Sequence, residues 1–97
     1  MGKTASKNYT MVKGKLRTIT KEYLSREDRD AYRIVYSFQI KETLKEATGG
    51  TLKRLLDDYI GERKRLPPDV ANLIFNELNI EYQNKIPRER NGPVDQR

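Results

Sequence analysis

The sequence predicts a small α+β domain, in which a two-stranded antiparallel sheet is followed by a C-terminal helical hairpin. Apolar and polar residues alternate from Tyr32 to Lys41, which is the period of a half-buried strand. Apolar residues then recur at helical spacing in residues 51–60 and 68–78. A chain of 97 residues is long enough for one domain with a modest core.

The first strand is predicted in residues 9–20. This segment is rich in Thr and β-branched residues, and its three threonines and Gly14 disfavour a helix. A helix is nevertheless the alternative, because the region also contains an apolar stripe at helical spacing, formed by Val12, Leu16, Ile19 and Tyr23.

The second strand is the clearest element of the prediction. Its proposed buried face consists of Tyr32, Ile34, Tyr36, Phe38 and Ile40. Aromatic residues on this face could stack on nucleic-acid bases, but we expect them to be core. Residues 25–28 are interpreted as the turn between the strands. The alternative class is all-α, with a long helix after Ser25; crowding of aromatic and β-branched residues in 32–40 places it second.

Helices are predicted in the second half of the chain. Gly49 and Gly50 are expected to close a helical segment that begins near Lys41, and Thr51 to cap the next helix. The apolar stripe of that helix comprises Leu52, Leu55, Leu56, Tyr59 and Ile60. Pro68 is expected to start a further helix with the stripe Val70, Leu73, Ile74 and Leu78. Beyond Leu78, the pattern fits either a continued helix or a short edge strand.

Polar segments flank the apolar middle of the chain. Residues 1–8 are predicted to form a flexible basic N-terminal arm, residues 9–84 the single domain, and residues 85–97 a flexible C-terminal tail. No apolar run approaches the length of a membrane span, so we expect a cytoplasmic protein with no membrane partner.

The net charge of +6 is concentrated in residues 1–21, which carry six basic residues and no acid. Such asymmetry is typical of proteins that bind a polyanion. The predicted phosphate-binding residues of this segment are Lys7, Lys13, Lys15, Arg17 and Lys21. A second basic cluster, consisting of Arg63, Lys64 and Arg65, precedes Pro67 and Pro68, which limit its backbone freedom.

The last predicted helix carries a stripe of uncharged amides. The stripe consists of Asn72, Asn76, Asn79 and Gln83, and it is the predicted surface for a protein partner. A homodimer is also expected, because one small sheet would leave apolar helix faces uncovered.

Catalysis is not expected. The chain has no Cys, which removes thiol nucleophiles and thiolate zinc ligands, and no His, which removes the commonest general base. Glu62 and Lys64 spell half of a magnesium-nuclease motif, but they are predicted to end a helix rather than lie on a strand. No catalytic residue, metal ligand or cofactor is therefore assigned.

Two functions remain. The first is a noncatalytic regulatory or accessory protein that binds nucleic acid, either DNA or RNA with DNA favoured, through its basic segments. A helix-turn-helix is disfavoured, because residues 68–79 contain no Lys or Arg. The alternative is a protein-binding adaptor or inhibitor that docks on a larger acidic partner through the helical hairpin.

Overall fold

The fold is all-α in the part of the chain that the structure describes. This computed structural model describes the backbone of residues 3–90 and the side chains of residues 7–85. Within that range, short connections join four helices and no strand is present. The predicted α+β class is therefore wrong, and the all-α alternative describes the molecule. The helices are α1 Lys3–Ser25, α2 Arg29–Leu44, α3 Gly49–Glu62 and α4 Pro68–Arg90.

The helices form two hairpins, α1 with α2 and α3 with α4, which dock side by side. Across the docking interface, α1 packs against α3 and α2 packs against α4. Arg29 pairs with Asp69 at 3.1 Å, and the Lys85 ammonium donates to the Lys45 carbonyl at 3.2 Å. Both contacts join residues 40 positions apart, so α2 and α4 run in the same direction with a constant offset.

The core is built from one apolar stripe on each helix. Its principal buried residues are Val12, Leu16 and Tyr23 on α1, Tyr36, Ile40 and Leu44 on α2, Leu52, Leu55 and Tyr59 on α3, and Val70, Ile74 and Leu78 on α4. The rings of Tyr23 and Tyr36 stack with centroids 4.2 Å apart. Burial raises the pKa of the Tyr36 hydroxyl to about 12, and this group hydrogen-bonds the buried Thr20 hydroxyl at 2.7 Å.

The strand predicted in residues 9–20 is part of α1. The helical stripe proposed as the alternative is the one that the protein buries. Two of the three threonines that disfavour a helix have hydrogen-bond partners for their hydroxyls: Thr18 donates to the Gly14 carbonyl of α1 at 3.0 Å, and Thr20 bonds the Tyr36 hydroxyl of α2. Burial of the stripe therefore outweighs the modest propensity cost of Gly and Thr.

The strand predicted in residues 32–40 is part of α2. Residues two positions apart lie about 200° apart around a helix, so two rows at i, i+4 spacing on opposite faces produce a strict alternation. Tyr36 and Ile40 are buried, whereas Ile34 is 79% exposed and Phe38 is 60% exposed. The single shared face predicted for these residues is therefore wrong. Residues 26–28 do form a connection, but it joins two helices.

Gly49 and Gly50 begin α3 instead of closing the preceding helix, which ends at Leu44. The N-cap is Thr48 rather than Thr51, because the Thr48 hydroxyl accepts a hydrogen bond from the Thr51 backbone at 3.1 Å. Asn8 of α1 accepts from the Thr48 backbone at 3.0 Å. The connection between the hairpins is thus held by α1.

The two later helices confirm most of their predicted stripes. Val70, Ile74 and Leu78 are buried and Pro68 is the first residue of α4, whereas Ile60 is 61% exposed on α3. From Leu78 to Arg90 the chain continues as a helix, not as the edge strand that was the other possibility.

The ends of the described helices overlap both predicted terminal segments. The backbone is helical from Lys3 and up to Arg90. Residues 1–2 and 91–97 lie outside the described part of the chain, so the flexibility predicted for the arm and the tail stays a prediction. No helix among the described residues is long and apolar enough to cross a membrane.

Candidate polyanion-binding groove

An open groove of about 550 Å³ lies between α1 and the end of α3 with the turn that follows it. Its charged side chains are Arg17 and Lys21 from α1, Glu62 from α3 and Arg65 from the turn. We call this surface the basic groove. Three cations and one carboxylate therefore line a space large enough to admit a ligand group.

The local structure explains why these residues meet. Arg17 and Lys21 are four residues apart, so they lie on one face of α1. Because α1 and α3 run in the same direction, the turn after α3 reaches the last turns of α1. The Arg65 backbone donates to the Glu62 carbonyl at 2.8 Å, which keeps the turn compact at the edge of the groove.

The groove cations are available for an external anion. Among the side chains of residues 7–85, Arg17, Lys21 and Arg65 take part in no ion pair. The groove carboxylate of Glu62 lies 3.8 Å from the Lys13 ammonium, which offsets part of its negative charge. An incoming phosphate would therefore face cations that hold no ion pair within residues 7–85.

Lys13, one of the predicted phosphate-binding residues, is used to hold α1 against α3. Its ammonium donates to the Tyr9 hydroxyl at 3.1 Å and to Asp58 at 3.2 Å, while the Tyr9 hydroxyl itself donates to Asp58. The Arg54 guanidinium lies 4.0 Å from the Tyr9 ring centroid. These four residues are called the Lys13 cluster, and they tie the two hairpins together.

The pKa shifts in the Lys13 cluster follow from this geometry. Burial lowers the pKa of Lys13, but the hydrogen bonds with Tyr9 and Asp58 outweigh it, so the pKa is raised. Burial likewise raises the pKa of the Asp58 carboxyl, but the bonds from Tyr9 and Lys13 lower it below its ordinary value. Both groups are therefore held in their charged forms.

A second open pocket, with a volume of about 270 Å³, lies beside the groove along α1. It is lined by Tyr9, Thr10 and Lys13 and shares Gly14 and Arg17 with the basic groove. A Cβ atom added at Gly14 would have no heavy atom within 4 Å, so the helix backbone is uncovered here. The cationic surface thus extends over about three turns of α1.

The other predicted phosphate-binding residues do not line the groove. Lys7 is exposed near the start of α1, and Lys15 forms an ion pair with Glu46 at 2.9 Å. The Arg63 guanidinium lies 5.5 Å from the Phe75 ring centroid, and Lys64 is exposed in the turn. Of the eight predicted phosphate-binding residues, three therefore line the basic groove: Arg17, Lys21 and Arg65. Lys13 lines the smaller pocket beside it.

Sequence reasoning missed Glu62 as a member of the site and missed the internal role of Lys13. The available signal was the spacing of Lys13, Arg17 and Lys21 at i, i+4 and i+8. A helix brings successive members of this row to within about 6 Å along its axis, whereas a strand keeps them on one face but about 13 Å apart. The preference for a strand in residues 9–20 therefore gave no reason to expect these side chains in one compact site.

An acidic surface lies at the same end of the molecule, on the other side of the turns. It is formed by Glu27, Asp28, Asp30 and Asp69 around Arg29. No group of three or more acidic side chains within the described residues is placed to hold a metal ion. Two of the four carboxylates of this surface are paired with arginines, Asp28 with Arg26 and Asp69 with Arg29.

The predicted amide stripe lies on one exposed face of α4. Asn72, Asn76, Asn79 and Gln83 are all exposed. The aromatic residues considered as base-stacking platforms are divided: Tyr36 is in the core, whereas Phe38 is exposed on α2.

The described part of the chain is thus a pair of docked helical hairpins with a cationic groove between them. Comparisons of the chain with protein-family models, with curated proteins and with solved structures find no match. The properties that bear on function are therefore those of the chain's own side chains, above all the charges of the groove.

Proposed function

We propose that the protein is a noncatalytic nucleic-acid-binding protein whose basic groove holds backbone phosphates. The observation that carries this proposal is the convergence of Arg17 and Lys21 from one hairpin with Arg65 from the other. Guanidinium groups donate paired hydrogen bonds that match the geometry of phosphate, and an ammonium adds a compact positive charge.

The character of the groove favours phosphates over base edges. Its cations are carried on helix and turn backbone, so less conformational freedom is lost on binding than for a loose arm. Contacts of this kind position a nucleic acid without reading its sequence. We therefore propose an accessory or regulatory role with weak sequence preference, with DNA as the favoured partner and RNA as the other.

The test is a fluorescence-anisotropy titration of the full chain against duplex DNA, single-stranded DNA and RNA at about 50 and about 200 mM salt. Phosphate binding predicts affinity that falls steeply with salt, by a slope near 0.9 per phosphate contact on duplex DNA. Absence of binding to all three nucleic acids at the lower salt would overturn the proposal.

A matched pair of variants separates the groove from general charge. Lys21→Ala with Arg65→Ala removes one Lys and one Arg from the groove, whereas Lys53→Ala with Arg33→Ala removes the same charges from exposed positions elsewhere. The groove variant should raise the Kd about tenfold or more and reduce the salt slope by about two. Equal losses in the two variants would show that net charge, not the groove, drives binding.

A second function is favoured by the amide stripe. Four uncharged amides on one exposed face could contact a partner protein without the desolvation cost of charges. We propose as the alternative that the α3–α4 hairpin docks on a larger acidic protein as an adaptor or inhibitor. Such a packed interface would lose much less affinity with salt, and Asn76→Asp would disrupt it, because the new carboxylate repels an acidic partner, while leaving the groove intact.

A further inference from the structure

The basic groove has apolar side chains beside its cations. Leu24 of α1 and Leu66 of the turn line it together with Arg17, Lys21 and Arg65. Leu24 is 37% exposed, and Leu66 packs on the core but stays partly exposed. Phosphate contacts need charge and hydrogen-bond donors, so phosphates alone would leave both leucines without a partner. The groove therefore fits a ligand that carries an apolar surface next to its anionic groups.

The sequence places the apolar and the cationic side chains next to each other. Arg17, Lys21 and Leu24 follow at steps of four and three residues, which keeps them on one face of α1. Leu24 lies about 4.5 Å beyond Lys21 along the helix axis. In the turn, Leu66 directly follows Arg65. Both segments that line the groove thus supply a leucine adjacent to a cation.

The groove also contains two polar groups that are not cations. They are the hydroxyl of Tyr59, a residue only 3% exposed, and the carboxylate of Glu62. Among the side chains of residues 7–85, neither group takes part in a hydrogen bond. A carboxylate accepts N–H groups but repels a phosphate. Its presence among the cations indicates a ligand that brings N–H donors as well as negative charge.

We propose that the basic groove takes a single-stranded nucleic acid. One unpaired base lies against Leu24 and Leu66 and donates an N–H group to the Glu62 carboxylate, while the flanking phosphates bind the three groove cations. This inference rests on the proposed nucleic-acid binding and names the form of the partner.

A duplex cannot use the apolar part of the groove. Its bases are stacked on one another and their pairing edges are bonded to the opposite strand, so it presents mainly phosphates. The two strands together carry one negative charge per about 1.7 Å of helix axis, which brings more charge near Glu62 than one strand does. Every unpaired base has an apolar face and an N–H group on its pairing edge. The contact therefore selects single strands over duplexes without selecting a sequence.

The experiment is fluorescence anisotropy of the full chain with one labelled DNA strand of about 12 nucleotides, alone and annealed to its complement, at about 50 mM salt. The single strand should bind about fivefold more tightly or better. Leu24→Ala should raise the Kd for the single strand about fivefold, because it removes apolar contact area. It should leave the duplex Kd and the salt slope unchanged, because it removes no charge.

Met11→Ala is the matched control for Leu24→Ala. Met11 is 39% exposed on the same helix, but it lines neither the groove nor the pocket beside it. This variant should change neither Kd. Thermal unfolding verifies that each variant is folded.

Glu62→Gln tests the carboxylate. It should bring the two Kd values closer together, chiefly by strengthening duplex binding, because it removes a negative charge from the groove. Asp57→Asn removes the same charge from an exposed position on α3 and should leave the ratio of the two Kd values unchanged. Equal changes of that ratio in the two variants would overturn the role assigned to Glu62.

The outcomes separate this inference from the proposed function. A chain that binds neither DNA form nor RNA would overturn both. Duplex binding as tight as single-strand binding, or equal effects of Leu24→Ala and Met11→Ala, would overturn the single-strand inference and leave the phosphate-binding groove standing. A free mononucleotide offers the same base with one phosphate, so it should displace the strand only at about millimolar concentration. Displacement at about 10 μM would make the free nucleotide the ligand instead.

Discussion

Lys13 shows how one cation of a basic segment can stabilise the packing of two helices instead of facing solvent. Its neighbours in sequence, Lys15 and Arg17, are exposed, and Arg17 lines the groove, whereas the Lys13 side chain is only 20% exposed beside Tyr9 and Asp58. Hydrogen bonds to charged groups are stronger than those between neutral groups, so the Lys13 cluster stabilises the docking of the hairpins.

The lowered pKa of Asp58 predicts an acid-sensitive contribution to stability. Because the folded state binds a proton at Asp58 less readily than the unfolded chain does, the contribution is present above the ordinary value of 3.8 and is lost as the pH falls through the lower folded pKa. Asp58→Asn should cost about 1 kcal/mol at neutral pH and flatten the decline of stability below about pH 4. Urea unfolding measured from neutral to acid pH checks both effects.

Asp57 provides the matched control for this measurement. It precedes Asp58 on the same helix and is exposed. Asp57→Asn should leave both the free energy of unfolding and its pH dependence close to those of the native chain. If the two variants behaved alike, the stabilisation could not be assigned to the Lys13 cluster.

At the scale of the helices, the sequence predicts α3 and α4 well and misassigns α1 and α2. The stripes of α3 and α4 are single apolar rows between clear breaks, so their period is readable. On α2 the exposed residues Ile34 and Phe38 instead alternate with the buried residues Tyr36 and Ile40, and the combined pattern has the period of a strand. Which of two such rows is buried depends on the neighbouring helices, so it is not readable from α2 alone.

The glycines inside helices offer a test of how much stability α1 loses by having glycine at a helical position. A Cβ atom at Gly14 or at Gly61 would have no heavy atom within 4 Å. Gly14→Ala should therefore raise the free energy of unfolding by about 0.5–1 kcal/mol, because Ala restricts the unfolded chain and favours the helix.

Gly61→Ala is the companion variant and should have the smaller effect, since Gly61 lies in the last turn of α3, where helices fray. Chemical denaturation of both variants gives the comparison. A decrease in stability for Gly14→Ala would mean that the new methyl group meets a neighbour or that the glycine backbone is needed as it is.

The whole molecule separates charge by side. The sequence itself places the net positive charge in residues 1–21, but the arrangement of that charge in space depends on the fold. Arg17, Lys21 and Arg65 become one site only because the hairpins dock with α1 beside α3. The sequence could thus predict that the candidate site is basic and that it draws on two segments of the chain. It could not predict which residues of those segments line the groove, because the packing of distant helices leaves no local sequence pattern.

The small core predicts that stability depends on single side chains. Leu55 is fully buried on α3, so Leu55→Ala should cost about 2–5 kcal/mol through lost burial and a residual cavity. That is a large share of the roughly 5–15 kcal/mol by which a typical domain is stable. Ile60→Ala on the same helix should change stability by about 0.5 kcal/mol or less, because Ile60 is exposed.

Equilibrium urea unfolding monitored by circular dichroism compares these two variants with the native chain. One cooperative transition is expected in all three, because the four stripes meet in a single core. Two separate transitions would instead mean that each hairpin is stable alone.

The docking of the hairpins also has a consequence for how the chain folds in time. The bonds that hold α1 to α3 and to the connection before it join residues 31 to 49 positions apart, as between Lys15 and Glu46 or Tyr9 and Asp58. Closing loops of this length costs about 3 kcal/mol of chain entropy before any contact repays it. During synthesis on a ribosome, the apolar stripes of α1 and α2 therefore stay only partly buried until α3 and α4 have emerged.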